Sequence, residues 1–351
     1  AWKAPELRKK ILFTVFILLI YRLGNAVPVP YVDVAALKEY FDTTLSSTVL
    51  GLYNAMSGSA FSRATVFALS INPYINSSII MQLLCIAIPQ LERLQKDGGE
   101  EGRKKIASIT RYVTVGLALI MGFAYYSMLR NYGLLTQTGV LTGIVIVITF
   151  TAGSAFIMWL GEQITEFGIG NGISIILFAS IISRIPSTVS SAITNIAGGA
   201  QSIGGVLVIL VLALALVIVI VFVNDSERRI PIQYAKQMRG RKMYGGQSTF
   251  LPIKVNMSGV MPIIFAQSIA SLPATILAFN NPANDWKFTT VMRTITNTNG
   301  VLYAIVYFLL IIAFGYFYAA IQYNPIEIAN NLKKNGGFIP GFRPGRPTAE
   351  F

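Results

Sequence analysis

Residues 205–223, GVLVILVLALALVIVIVFV, run for nineteen positions without a charged residue, a proline or a polar side chain. Coiled at 1.5 Å per residue they make a helix about 28 Å long, close to the hydrocarbon thickness of a bilayer. Backbone N–H and C=O groups in lipid must find partners within the segment or in a closed barrel, and a lone unbroken run satisfies them as a helix. On either side of it, seven more apolar segments are predicted to be helices: 11–27, 72–91, 106–129, 140–160, 172–190, 257–279 and 301–322. Arg184 and Pro186 interrupt the one at 172–190. The expected fold class is all-α, a polytopic membrane protein with eight spans.

Composition agrees, since 54% of the 351 residues are hydrophobic and 12% charged, against about 25% charged in soluble domains. The chain has no histidine and one cysteine, Cys85, which rules out an internal disulfide and the usual zinc, haem and Cys-His sites. No serine has a histidine to activate it, and the GxxxxGK[ST] phosphate loop is absent. No catalytic residue, metal site or cofactor is assigned, and the chain is expected not to be an enzyme.

The net charge of +13 reads first as orientation, because basic loops stay in the cytoplasm. With a cytoplasmic N-terminus, the loops on that side hold twenty Lys and Arg residues and the opposite loops six. The start, KAPELRKK (3–10) before ILFTVFILLIYRL (11–23), imitates a secretory signal. It is followed by NAVPVP (25–30) rather than a small-residue cleavage site, so the segment is expected to be retained.

None of the fifteen acidic residues falls in the middle of a predicted span, where ion-coupled pumps place a carboxylate. That weakens the alternative of a small-solute secondary transporter, although carbonyls and hydroxyls can also hold sodium. A scaffold or insertase with no continuous pore is a third reading.

Two connections are long, 28–71 outside and 224–256 inside, and unstructured links of that size are uncommon. The outer one contains SGSAFSRATVFALS (57–70), too short to span. It reads either as an interfacial or re-entrant helix or as a surface loop. The second span opens INPYINSSIIMQLL (71–84), carrying Asn72, Asn76, Ser77, Ser78 and Gln82 into lipid; the seventh carries Asn256, Ser258, Gln267 and Ser268, loosened by Pro262 and Pro273. Such groups read as interhelical glue worth roughly 1 kcal/mol each, or as two marginally held helices able to part, with glue the stronger reading. Ile75 and Ile79, at i and i+4, share one face.

Several stretches in order resemble the SecY family, the channel subunit of the general protein-secretion translocon: RLGNAVPVP, SRATVFALSINPYINSSIIMQLL, EEGRKKIASITRY, GEQITEFGIGNGISIILFASI, VNMSGVMPIIFAQSIASLPATI and NPIEIANNLKKNGGFIPGFRPGRPT. The resemblance covers nearly the whole chain. It implies ten helices in two pseudosymmetric halves of five, a clamshell around an hourglass pore, here with an N-terminal half at 1–200 and a C-terminal half at 201–351. The pore ring it implies is Ile75, Ile79, Ile173, Leu177 and Ile264, with Leu177 standing where the family usually has isoleucine. A short outer plug helix maps to 57–70, including Ser57, Gly58, Phe61, Arg63 and Phe67. The lateral gate between spans two and seven maps to Asn72, Ser77, Ser78, Gln267 and Ser268. Since the chain stops at Phe351, inside what resembles the family's last large cytoplasmic loop, spans nine and ten are expected to be missing from a truncated or split form.

The inner connection, ERRIPIQYAKQMRGRKMYGGQSTFLPIK (227–254), puts seven basic residues and one acid into a polar interval. Attraction to anionic lipid heads would leave such a loop, as would topogenic charge. Tyr234 and Tyr244 among the charges, with Gly240, Gly245 and Gly246, suit a hairpin-like projection into a partner. The resemblance names the partners: a SecA-like motor ATPase and the RNA of the ribosome on the cytoplasmic face, with SecE-like and SecG-like small subunits in the membrane and signal-sequence-bearing polypeptides as substrates. Arg228, Arg229, Arg241, Lys242 and Arg343 are the expected contacts. The implied location is the bacterial plasma membrane.

Overall fold

The computed structural model describes residues 4–46, 48–96, 98–199, 202–234, 237–239, 242–244, 248–279, 287–322 and 324–351. Pro5, tolerated in a first turn because no intrahelical partner is lost there, opens α1 (Pro5–Gly24). Asp33 caps α2 (Val34–Tyr40) by accepting from the Ala35 and Ala36 N–H groups, and Thr48 caps α3 (Val49–Met56). There follow α4 (Asn72–Ala87), α5 (Pro89–Lys96), α6 (Gly99–Asn131), α7 (Val140–Phe167), α8 (Gly172–Ile182), α9 (Ile185–Ala197) and α10 (Ile203–Asp225). The inner connection forms β1 (Glu227–Tyr234), β2 (Gln237–Arg239), β3 (Lys242–Tyr244) and β4 (Ser248–Lys254). The chain ends with α11 (Met261–Phe279), α12 (Lys287–Thr296), α13 (Val301–Gln322), α14 (Pro325–Lys334), β5 (Gly337–Phe338) and α15 (Arg346–Glu350).

All eight expected apolar segments are helical, and the molecule is predominantly α as the composition requires. Among the described residues, α6, α7, α10, the helix that starts at Val301, and the stretch Gly172–Ala197 formed by α8 and α9 together are long and apolar enough to cross a bilayer. The expected second span ends early: Pro89 excludes α geometry from the residue before it, Ile88 turns extended at φ −109° and ψ 111°, and α5 leaves at 106° to α4. Counted with α5 as one broken span, α4 makes a sixth. In α1 the apolar run is confined between Lys10 and Arg22. The interruption expected at Arg184 and Pro186 is where α8 stops and α9 starts.

The described residues gather into two compact units, Ala1–Ser191 with Gln267–Tyr307, and Ala192–Ala266 with Phe308–Phe351. The first has a core of Leu37, Phe41, Phe61, Tyr125, Leu129 and Phe150, all buried. Neighbouring helices approach closely where a side chain is missing. A Cβ on Gly153 of α7 would lie 2.0 Å from the Val66 carbonyl oxygen, and one on Gly172 of α8 would lie 2.0 Å from the Gly161 carbonyl oxygen. In the second unit α10 has no buried residue and is apolar all round, as a helix facing lipid should be.

Segment 57–70 corrects one expectation. It contains no α-helix, only a single 3₁₀ turn at Phe61–Arg63 within a chain of turns. The reason is backbone handedness: Gly58, Ser59, Ala64 and Ser70 sit at φ of +65°, +69°, +44° and +51°, values no right-handed helix can contain. The short helix nearest to it is α3, immediately upstream.

Candidate functional site

Segment 57–70 is neither a lipid-facing helix nor a surface loop, because Ser57, Ala60, Phe61, Ser62, Phe67 and Ser70 are all buried. Its own backbone is satisfied locally. Ser57 Oγ accepts from the Phe61 N–H at 3.1 Å, and Asn54 Oδ1 accepts from the Ser62 N–H at 3.0 Å. Four helices grip it. Phe67 stacks between Tyr21 of α1 and Phe156 of α7, at 5.8 and 6.1 Å. The Tyr125 hydroxyl of α6 donates to the Phe61 carbonyl, its ring stacked on Phe61 at 4.4 Å. Gly58 lies against Ser180 of α8 and Ser183, which caps that helix. Of the five residues singled out here, Ser57, Gly58, Phe61 and Phe67 belong to this seat, and Arg63 is exposed.

At the junction with α4 the seat is under-satisfied. The Asn25 amide, Ser70 Oγ and Asn72 Nδ2 are buried without a hydrogen-bond partner among the described residues, each costing about 1–3 kcal/mol.

The gate candidates divide. Ser77 is buried and donates to the Thr110 carbonyl of α6 at 2.8 Å, which is interhelical glue. Ser78 accepts from Gln82 on its own helix, while Asn72 is buried at the first turn. On α11, Gln267 and Ser268 are half-buried, and the Ser268 carbonyl accepts from Ser271 Oγ at 2.7 Å. One neighbourhood missed at the sequence level involves α4 and α11 together: the Tyr53 side chain of α3 is buried with the Asn76 and Ser271 side chains near its hydroxyl. Burial pushes this hydroxyl well above the ordinary tyrosine range, and the polar side chains of Asn76 and Ser271 offset that only in part. It is a neutral O–H donor at physiological pH. The signal was present in the sequence, since Val49, Leu50 and Tyr53 form an apolar i, i+1, i+4 face directly after the capping residue Thr48.

The ring candidates fall on two helices of the first unit and one turn of the second. Ile75 and Ile79 form a buried one-turn column on α4, continued upward by the fully buried Ile71. Ile173 and Leu177 form a half-buried column on α8, and Ile264, half-buried, lies in the first turn of α11. A second feature missed in the sequence is an ion pair near the end of α7, where Arg111 Nε donates to Glu162 Oε1 at 2.8 Å and ties α6 to α7.

The expected hairpin-like projection is a β-ribbon. β1 and β4 pair antiparallel with Arg228 opposite Ile253 and Arg229 opposite Pro252, and β2 pairs with β3 beyond them. β5, from the next basic stretch, joins the other edge of β1 with Phe338 opposite Gln233. The two basic segments thus share one three-stranded sheet in the order β4-β1-β5. Its buried side chains include Ile232, with Ala329 and Leu332 of α14 buried beside the strand that joins it. Arg228, Arg229 and Arg343 are exposed. Lys242 has its backbone in β3, and Arg241 lies outside the described residues.

A SecY family profile matches residues 65–351. A protein translocase subunit SecY of Streptomyces scabiei is 45% identical over 364 aligned residues, covering all of this chain and 82% of the relative. Among solved structures, one described as the structure of a protein conducting channel superposes with a TM-score of 0.60 at 17% identity, over 98% of this chain and 80% of the other. The yeast Ssh1 complex bound to the yeast 80S ribosome superposes with a TM-score of 0.61 at 16% identity, over 98% and 79%. A profile match over more than four-fifths of the sequence and a relative of this identity leave one assignment: the chain belongs to the SecY family.

Proposed function

We propose that this chain is the passive pore through which unfolded polypeptides cross the bacterial plasma membrane, and from which apolar helices leave sideways into lipid. It works as a channel subunit and not as an enzyme, and nothing in the family match favours the small-solute transporter. The observation that carries the reading is segment 57–70. A buried, non-helical stretch gripped by α1, α6, α7 and α8, yet ending on Ser70 and Asn72 groups that have no hydrogen-bond partner among the described residues, has the properties of a plug that is seated but can be displaced. The helical part of that plug is α3. Aliphatic columns at Ile75/Ile79 and Ile173/Leu177, with Ile264, supply a waist that excludes ions by dewetting and deforms around an extended chain.

With twenty basic residues on one side, the N-terminus and the β-ribbon face the cytoplasm. SecE-like and SecG-like subunits brace the helices in this reading. The sheet built from both basic segments supports docking of a motor ATPase or a ribosome, the latter through phosphates that Arg228, Arg229 and Arg343 neutralise. Arg343→Glu is expected to weaken motor or ribosome binding about tenfold, as for a charge pair at an interface rim. Precursor import into vesicles should fall with it while ion leak stays at the wild-type level. Binding and import both at the wild-type level would return these arginines to a purely topogenic role.

A further inference from the structure

We propose that the seam between α6 and α7 is a binding site for an anionic phospholipid, one acyl chain lying in an apolar groove and the phosphate resting on Arg130. The groove has a volume of about 360 Å³; Phe123, Tyr126 and Arg130 line it from α6, and Gly143, Ile144 and Ile148 from α7. Its floor follows from one missing side chain. A Cβ on Gly143 would lie 2.8 Å from Tyr126 Cζ, so only glycine lets the buried Tyr126 ring cross α7 there. Phe123, Ile144 and Ile148 stand as walls, each more than half exposed. The opposite faces of the same two helices carry Tyr125, Leu129, Ile146 and Phe150 into the core, and the groove therefore opens on the lipid side.

The depth of the groove suits a single leaflet, the outer one in the orientation proposed above. Arg130 is in the last turn of α6 and Phe123 two turns before it. At 1.5 Å per residue the groove runs about 10 Å from the helix end toward the bilayer centre, a third of the roughly 30 Å hydrocarbon thickness. A partner's transmembrane helix would need a seam along the whole thickness. Here α6 and α7 close at Gly122, where a Cβ would lie 3.4 Å from the Val147 carbonyl oxygen. Charge selects the headgroup. Arg130 is exposed at the mouth, no acidic residue lines the groove, and among the described residues Arg130 forms no ion pair. A guanidinium at the membrane surface over an apolar slot is complementary to a phosphate with an acyl chain beneath it. The dipole at the end of α6 would favour a cation there by itself, but that role needs no slot. The same two helices hold segment 57–70, through Tyr125 on Phe61 and Gly153 against Val66. A lipid bound to their folded form stabilises that seat by mass action.

The test titrates the complete translocation complex in detergent with phosphatidylglycerol and, in parallel, with phosphatidylcholine, counting bound lipids by native mass spectrometry. Arg130→Gln is expected to weaken one phosphatidylglycerol site about fivefold, the effect of one basic residue at a charged surface. Arg130→Lys keeps the charge and should stay within about twofold of the wild type. Ile144→Trp fills the groove from an exposed position and should remove the same site with Arg130 intact. The rise in thermal unfolding midpoint that phosphatidylglycerol gives the wild type should shrink in both Arg130→Gln and Ile144→Trp. A photoactivatable side chain at position 144 should crosslink to lipid in native membranes. Phosphatidylglycerol affinity unchanged in Arg130→Gln and Ile144→Trp would overturn the site. An effect of Arg130→Gln without one of Ile144→Trp would reduce it to surface charge and overturn the groove, and a crosslink from position 144 to a protein subunit would overturn the lipid as its occupant.

Discussion

Ile79→Gly is expected to raise resting ion conductance through vesicles roughly thirty- to a hundredfold, while Ile79→Leu leaves them tight. Ile79 is buried on the same face of α4 as Ile75. Removing its side chain takes roughly 2–3 kcal/mol of apolar surface from the proposed constriction, which would exclude ions by being dry, and each 1.4 kcal/mol is a factor of ten in the wetted population. Leucine keeps the volume and the apolar surface, so it should preserve the seal. Ile264→Gly should behave in the same way. A scaffold without a pore would leave conductance silent in all three variants.

Gly153→Ala should be among the most damaging single-methyl changes at the described residues. The added Cβ would lie 2.0 Å from the Val66 carbonyl oxygen and 3.0 Å from Val66 Cγ1. The first obstacle is backbone, so no rotamer change relieves it, and either α7 or segment 57–70 has to shift. Overpacking of this kind costs about 3 kcal/mol, and the thermal unfolding midpoint in detergent should fall by about 5 °C. If 57–70 is the part that yields, leak should rise as well, and tracking both in one preparation shows which element moved. A midpoint unchanged within about 1 °C would mean that 57–70 is not seated against α7. Gly24→Ala, facing the Phe67 ring at 2.0 Å, is a milder comparison, because a side chain can give where a carbonyl cannot.

The long helices were legible because bilayer thickness and backbone satisfaction leave so few alternatives for runs such as 205–223. Pro89 also carries its consequence in plain view, through the steric restriction it places on Ile88, yet the expected span ran past it to residue 91. Segment 57–70 was harder. Ser59, Ala64 and Ser70 adopt left-handed backbone that their residue types do not signal, and only packing from four helices holds them there. The ribbon at 227–254 announced itself through its glycines, whereas β5 is a two-residue strand whose existence depends on β1 offering a free edge. Arg111 and Glu162 are 51 residues apart, and nothing local to either predicts the pair. The site candidates split for the same reason. Ser77 serves helix packing, while the buried Tyr53 of α3, with Asn76 and Ser271 nearby, was overlooked because those neighbours come from other segments of the sequence.

The most direct measurement is protease protection in reconstituted vesicles. Proteoliposomes containing this chain in its complete complex, with a motor ATPase and ATP, are mixed with an unfolded precursor bearing a signal sequence and then treated with protease outside. The expected result is a protected fraction that depends on the signal sequence and on ATP and disappears when detergent opens the vesicles. A precursor digested equally with and without the complex would contradict the assignment of a polypeptide-conducting pore to this chain.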